Sequence, residues 1–149
     1  MADIKTNISN DVKAAMRSKN KNVLGALRFI QAAFKQKEVD ERIELNEEQA
    51  IVILDKMAKQ HRDSISQFKA AKRDDLVKIE EFELDIINTY LPAKLSDEEI
   101  SVLIEGAISK SGAESIKDMG KIMSILKKRL QGRADMGKVS ELIKTKLSF

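Results

Sequence analysis

Between Glu114 and Phe149 nine lysines and arginines stand against four acids, a local excess of +5 in a chain whose formal net charge is +3. Side chains of that type and density suit one kind of chemistry, the neutralisation of an anion such as a phosphate backbone. Lys121, Lys127, Lys128, Arg129, Arg133, Lys138 and Lys144 are the candidate nucleic-acid-binding residues. Lys127, Lys128 and Arg129 fall late in one helical pattern and Arg133 in the turn Gln131-Gly132-Arg133-Ala134-Asp135. Lys138 stands at the start of the next pattern, so the reversal would gather these cations at one corner, with Lys144 and Lys146 extending the track. Backbone N–H groups of Met136, Gly137 and Lys138 would face outward there, and Gly137 would let a phosphate come close. Asp135 works against this, since its carboxylate should take one of those donors. The plainer reading is a solvated face that serves solubility and helix dipoles. A second positive stripe, Arg28, Gln31, Lys35 and Arg42, is interrupted by Glu38 and reads as solvated surface.

Other chemistries find little support. The chain has no cysteine, which excludes disulfides, thiolate metal sites and a cysteine nucleophile. Its serines, such as Ser9, Ser96 and Ser115, read as helix caps or helical surface, without a Gly-x-Ser-x-Gly elbow. Gly132 to Lys138 holds two glycines and a lysine, but not at phosphate-loop spacing and with no strand before it. His61 is the one histidine. With no acid or cysteine near it at ligand spacing it makes a poor metal site, and a packed or hydrogen-bonded imidazole is expected. Met119, Met123 and Met136 read as adaptable core filling. No cofactor or metal is expected, and no catalytic residue.

These cations must be positioned by helices. Apolar residues recur three and four apart, as Ile4, Ile8, Val12 and Ala15, then Val23, Leu27, Ile30 and Phe34. Asn46 with Gln49 forms a capping box opening a long helix whose stripe is Ala50, Leu54, Met57, Ala58, His61, Ile65 and Phe68, ending near Ala71. Asp74 or Asp75 starts a fourth, with Leu76, Ile79, Phe82, Ile86, Ile87 and Tyr90 as its expected buried face. Leu91-Pro92 stops it, because a residue before proline is pushed out of helical geometry. Ser96 and Glu99 cap a fifth helix with Ile100, Leu103, Ile104, Ala107 and Ile108 inward, closed at Gly112. Ser115 and Asp118 open a sixth with Ile116, Met119, Ile122, Met123, Leu126 and Leu130 inward. Asp135 caps a seventh, with Val139, Leu142, Ile143 and Leu147. The expected fold is all-α with two helical domains, residues 1–92 with four helices and 93–149 with three.

Several words in this order resemble a known family. Leu91-Pro92-Ala93-Lys94-Leu95-Ser96-Asp97-Glu98-Glu99-Ile100, Lys117-Asp118-Met119-Gly120-Lys121-Ile122-Met123, Gly132-Arg133-Ala134-Asp135 and Val139-Ser140-Glu141-Leu142-Ile143 resemble the YqeY family, as does Lys59-Gln60-His61-Arg62-Asp63-Ser64-Ile65. That family is similar to the C-terminal tail of the GatB subunit of glutamine-dependent aminoacyl-tRNA amidotransferase. The resemblance implies two all-α domains, four helices then three, and tRNA or a tRNA-handling complex as partner. It does not imply catalysis by this chain. Two alternatives stand beside this expectation: a helical module docking a protein partner, and, by family association alone, a carbon-nitrogen ligase with glutamine as amido-N-donor.

Length and composition agree with a helical protein: 149 residues, 42% hydrophobic and 34% charged, one proline and six glycines, enough for one good core or a medium and a small one. No window approaches 18 apolar residues, so no membrane association is expected, and the N-terminus lacks a secretory pattern. The expected location is cytoplasmic. Stacking aromatics are scarce in the basic segment, where Phe149 stands alone, so a folded RNA held by its phosphates is expected rather than base readout.

Overall fold

The computed structural model describes residues 3–147, and among them seven α-helices, one 3-10 turn and no strand. The chain forms two compact units, Met1–Leu91 and Pro92–Phe149.

The first unit holds α1 (Ile4–Ser18), α2 (Lys21–Glu41), α3 (Glu47–Ala70) and α4 (Asp74–Tyr90). Three of the four starts have a side-chain cap, and α4 begins after Arg73 without one. Asp3 accepts from the Thr6 N–H at 2.8 Å and Asn20 from that of Val23 at 3.3 Å. The Asn46 side chain accepts from the Gln49 N–H at 2.8 Å while the Gln49 side chain accepts from the Asn46 N–H at 3.0 Å, so two orphan donors are satisfied together. Three helices end without the glycine that usually takes the left-handed position: Lys19, Arg42 and Lys72 have φ of 57°, 53° and 58°. Leu91 is extended, with φ −80° and ψ 148°, as its proline neighbour requires.

Ile4, Ile8, Ala15, Leu27, Ile30, Phe34, Leu45, Ala50, Leu54, Met57, Ala58 and Ile87 form the core of this unit. Glu38 pins its first helix. One carboxylate oxygen accepts from Lys5 Nζ at 2.8 Å and from the Leu45 N–H at 2.9 Å. The Lys5 ammonium, with that N–H, holds the Glu38 carboxyl below its usual range.

The fourth helix presents a different face from the one its hydrophobic residues suggest. Ile79 and Phe82 are exposed, at 54% and 41%, whereas Val77 and Ile87 are buried and Leu84 packs against the core. The reason is polar: Glu80 and Glu83 point toward His61 of α3, and a helix cannot turn those carboxylates inward while also burying residues 79 and 82.

The second unit holds α5 (Asp97–Ser111), α6 (Met119–Leu130) and α7 (Met136–Leu147). Ile100, Ile104, Ala107, Ile122, Leu126, Leu130, Val139, Ile143 and Leu147 close its core. Ser96 and Glu99 form the capping box of α5, and Gly112, at φ 70°, ends it. Ser115 opens a 3-10 turn, Ile116–Asp118, before α6 begins at Met119. The Asp118 carboxylate accepts from the N–H groups of Glu114 and Ser115. Drawn back over this turn, Ile116 stays 45% exposed rather than in the core, and Leu142 is likewise 37% exposed, because Val139, Ile143 and Leu147 already fill the inward stripe of α7 at four-residue spacing.

Candidate nucleic-acid interface

Leu126 and Leu130 are buried, and this fixes the rotation of the last turn of α6. Successive side chains stand ~100° apart around a helix. Lys127 and Arg129 therefore flank the buried stripe on opposite sides, and Lys128 points most directly to solvent. The three cannot converge on one phosphate. They also lie at the negative end of the helix dipole, which stabilises cations there whatever they bind. Lys121, Lys127, Lys128, Arg129, Lys138 and Lys144 are exposed, and none forms an ion pair among the described residues. Lys146 differs: its ammonium is 2.7 Å from Glu105 of α5.

Arg133 is half-buried and engaged within its own unit. Its Nε–H donates to the Ala93 carbonyl at 3.1 Å, and its carbonyl accepts from the Leu95 N–H at 2.9 Å. Its own N–H donates to the Leu130 carbonyl at 2.9 Å. Gly132 allows this reversal, at φ 77°, a backbone region that a side chain penalises. Arg133 thus fastens the incoming segment 93–95 to the α6–α7 turn through its Nε and backbone.

The start of α7 is also occupied. Asp135 Oδ1 accepts from the Gly137 N–H at 2.9 Å, and a side-chain carbon at position 137 would lie 3.2 Å from that oxygen. A carboxylate of the chain therefore stands where a phosphate would bind at the helix end. What remains for an anion is the exposed cation set of α6 and α7. Phe149 lies outside the described residues.

In the first unit, His61 gathers residues that sequence spacing keeps apart. Its Nδ1 is 2.9 Å from the Met57 carbonyl, and its Nε2 lies 2.9 Å from Glu83 Oε2 and 3.6 Å from Glu80 Oε2. Burial favours the neutral ring. The Glu83 hydrogen bond, the Met57 carbonyl and the Glu80 charge outweigh it, and hold the imidazole above its usual value. The acids stand 19 and 22 residues beyond His61, so only the packing of α3 on α4 makes the cluster. The trace left in the sequence is the Glu80, Glu83 spacing of three, which puts both carboxylates on one helical face.

No described helix is long and apolar enough to cross a membrane. A family model described as Yqey-like protein matches residues 5–147. Similar curated proteins include one from Pyrenophora tritici-repentis named "Altered inheritance of mitochondria protein 41, mitochondrial". It is 34% identical over 125 residues, which cover 80% of this chain and 68% of that protein. Proteins of the same name are 32% identical over 117 residues in Saccharomyces cerevisiae, covering 74% of this chain and 63% of the relative, and 39% over 92 residues in Clavispora lusitaniae, covering 60% and 54%. The chain thus spans about two thirds or less of these relatives. Their names overturn the cytoplasmic expectation, which rested on the lack of an apolar segment and of a secretory pattern. That lack bears on membrane insertion and does not distinguish one aqueous compartment from another. The match over residues 5–147 makes this chain a member of the YqeY-like protein family.

Proposed function

We propose that the chain binds a folded RNA of the tRNA class, as an accessory protein without catalysis of its own, through exposed cations of α6 and α7. One observation carries the reading. Residues 1–91 hold sixteen basic and sixteen acidic side chains, whereas residues 92–149 hold eleven and eight, so the whole net charge of +3 resides in the second unit. Six cations of α6 and α7 are exposed without an ion-pair partner among the described residues. Such a surface recognises the phosphate lattice of an RNA by shape and charge and does not read its bases. The mitochondrial names of the relatives add an organellar setting to the reading, and the resemblance to the amidotransferase tail supports tRNA over other RNAs.

Fluorescence anisotropy of labelled, folded tRNA, titrated with the full chain at low and physiological salt, tests this. Saturable binding that weakens with salt is expected. No binding at low salt would refute it.

A second reading is favoured by the first unit. A groove between α2 and α3, lined by Ala33, Gln36, Val52, Ile53 and Met57, lies open, and Val52 is 45% exposed. Such a surface suits a helical partner. Capture of a protein subunit by a chain that ignores RNA would favour it. A carbon-nitrogen ligase role rests on the family resemblance alone, and ammonia release from glutamine by the purified chain would support it.

A further inference from the structure

His61, Glu80 and Glu83 offer three ligand atoms, all within 4.8 Å of one another. We propose that they form a binding site for a divalent transition-metal ion of the Zn2+ type, with water completing the coordination. The site is independent of the RNA reading and lies in the other unit.

Geometry carries the inference. Metal bonds of ~2.0–2.1 Å from nitrogen and oxygen, at tetrahedral angles, separate neighbouring ligand atoms by ~3.3 Å. His61 Nε2 stands 2.9 Å from one carboxylate oxygen and 3.6 Å from the other, so shifts of a few tenths of an ångström bring both to that separation. Second, the ring is already oriented as a ligand. Its Nδ1–H donates to the Met57 carbonyl at 2.9 Å, the outer hydrogen bond that metal-binding histidines make, and this leaves Nε2 to face the carboxylates. Third, a neutral ring held in that tautomer turns its Nε2 lone pair on two carboxylates. Without a cation between them that contact is repulsive, and a second proton or a metal ion resolves it.

The ligand set also narrows the ion. One imidazole and two carboxylates suit zinc, manganese or iron(II) rather than copper(I), which prefers sulfur, and the imidazole disfavours magnesium and calcium. His61 is nine-tenths buried, while the side chains of Glu80 and Glu83 are 23% and 35% exposed. The cluster therefore has a wall on the α3 side and an opening to solvent on the α4 side, through which an ion can enter and keep its waters. Three protein ligands with open positions is the pattern of exchangeable sites rather than closed structural ones.

The test uses the untagged full chain, treated with chelator and titrated calorimetrically with ZnCl2. The chain has one histidine and no cysteine, so any nitrogen ligation from an imidazole must be that of His61, and its ring proton resonances report it without assignment. Expected are saturable binding of one ion per chain, a shift of those resonances on addition of Zn2+, and at least ~10-fold weaker binding in Glu80→Gln and Glu83→Gln. His61→Gln should abolish binding. Circular dichroism checks each fold, and Glu83, the more exposed of the two acids at 35%, gives a variant that folds even if His61→Gln does not. Absence of saturable binding in the native chain would overturn the proposal and leave a proton as the cation of the cluster. Binding that leaves the imidazole resonances unmoved, or that survives both glutamine variants unchanged, would overturn it equally.

Discussion

Replacing Lys128 and Lys138 together by alanine is the sharpest test of the RNA surface. Lys128 is the outermost residue of the last turn of α6, and Lys138 stands exposed in the first turn of α7. Lys127 and Arg129 diverge around the helix, so the six exposed cations provide roughly four simultaneous phosphate contacts, each lowering log K by ~0.7–0.9 per tenfold rise in salt. The native slope should be about −3. Between 1 M and ~0.15 M salt one contact then amounts to ~0.7 in log K, or ~1 kcal/mol. Loss of both lysines should therefore weaken binding ~25-fold at ~0.15 M and reduce the slope to about −1.6. Anisotropy titrations across a salt series, with Arg28→Ala/Lys35→Ala in the first unit as control, measure both quantities. A slope unchanged by the α6–α7 pair, or reduced equally by the control pair, would show that the RNA does not sit on these helices.

Four further outcomes follow from the packing. Arg133→Ala should lower the stability of the second unit by about 1 kcal/mol through the lost bond to the Ala93 carbonyl, seen in urea unfolding, with a smaller effect on RNA affinity than Lys128→Ala. Leu126→Ala, at a fully buried site, should cost ~2–5 kcal/mol, seen as an early transition in urea unfolding while the first unit unfolds at its native midpoint; a single shifted transition would refute separate unfolding of the two units. Arg42→Gly should stabilise by ~0.5–1 kcal/mol, the left-handed penalty of ~1–2 kcal/mol less the backbone entropy of glycine, read as a raised denaturation midpoint. The carboxyls of Asp3, Glu38, Asp75 and Asp118 are all held below their ordinary values in the folded chain. Their stabilisation is complete above the unfolded carboxyl range and is lost as pH falls through the folded values, so the chain should lose stability below about pH 4.5, with a shallower acid limb in Glu38→Gln.

Helix starts were legible because their causes are local. Asn46 and Gln49, or Ser96 and Glu99, lie three apart and meet in any helix begun there. Burial within a helix was legible where one stripe dominates, as Leu27, Ile30 and Phe34 do on α2 despite the exposed Phe29 and Val39, and misleading where two compete. On α4, residues 79 and 82 compete with 77, 84 and 87, and the contest is decided by a histidine on another helix. The spacing of Glu80 and Glu83 shows that the two acids share a helical face, but not that this face turns toward a histidine. The second role of Arg133 was hidden likewise, since its acceptor, the Ala93 carbonyl, is 40 residues away. A count of positive charges separates surface from interior, but it does not separate a cation awaiting a ligand from one already fastening a turn.

The oxygen of Glu38 that meets both Lys5 and the amide of Leu45 has a kinetic consequence. It joins points 40 residues apart in the chain, and it can form only once α2 has carried Glu38 to its end and the turn beyond has swung Leu45 back. The first helix is therefore a late guest: local contacts build α2 and α3 quickly, and the ordering of residues 3–18 waits for a junction whose closure entropy must be met first. On the reverse path the same dependence makes α1 the segment whose release precedes the rest. Brief openings of the native first unit should then begin at its amino end, with the amides of residues 4–18 losing protection together while α3 remains closed.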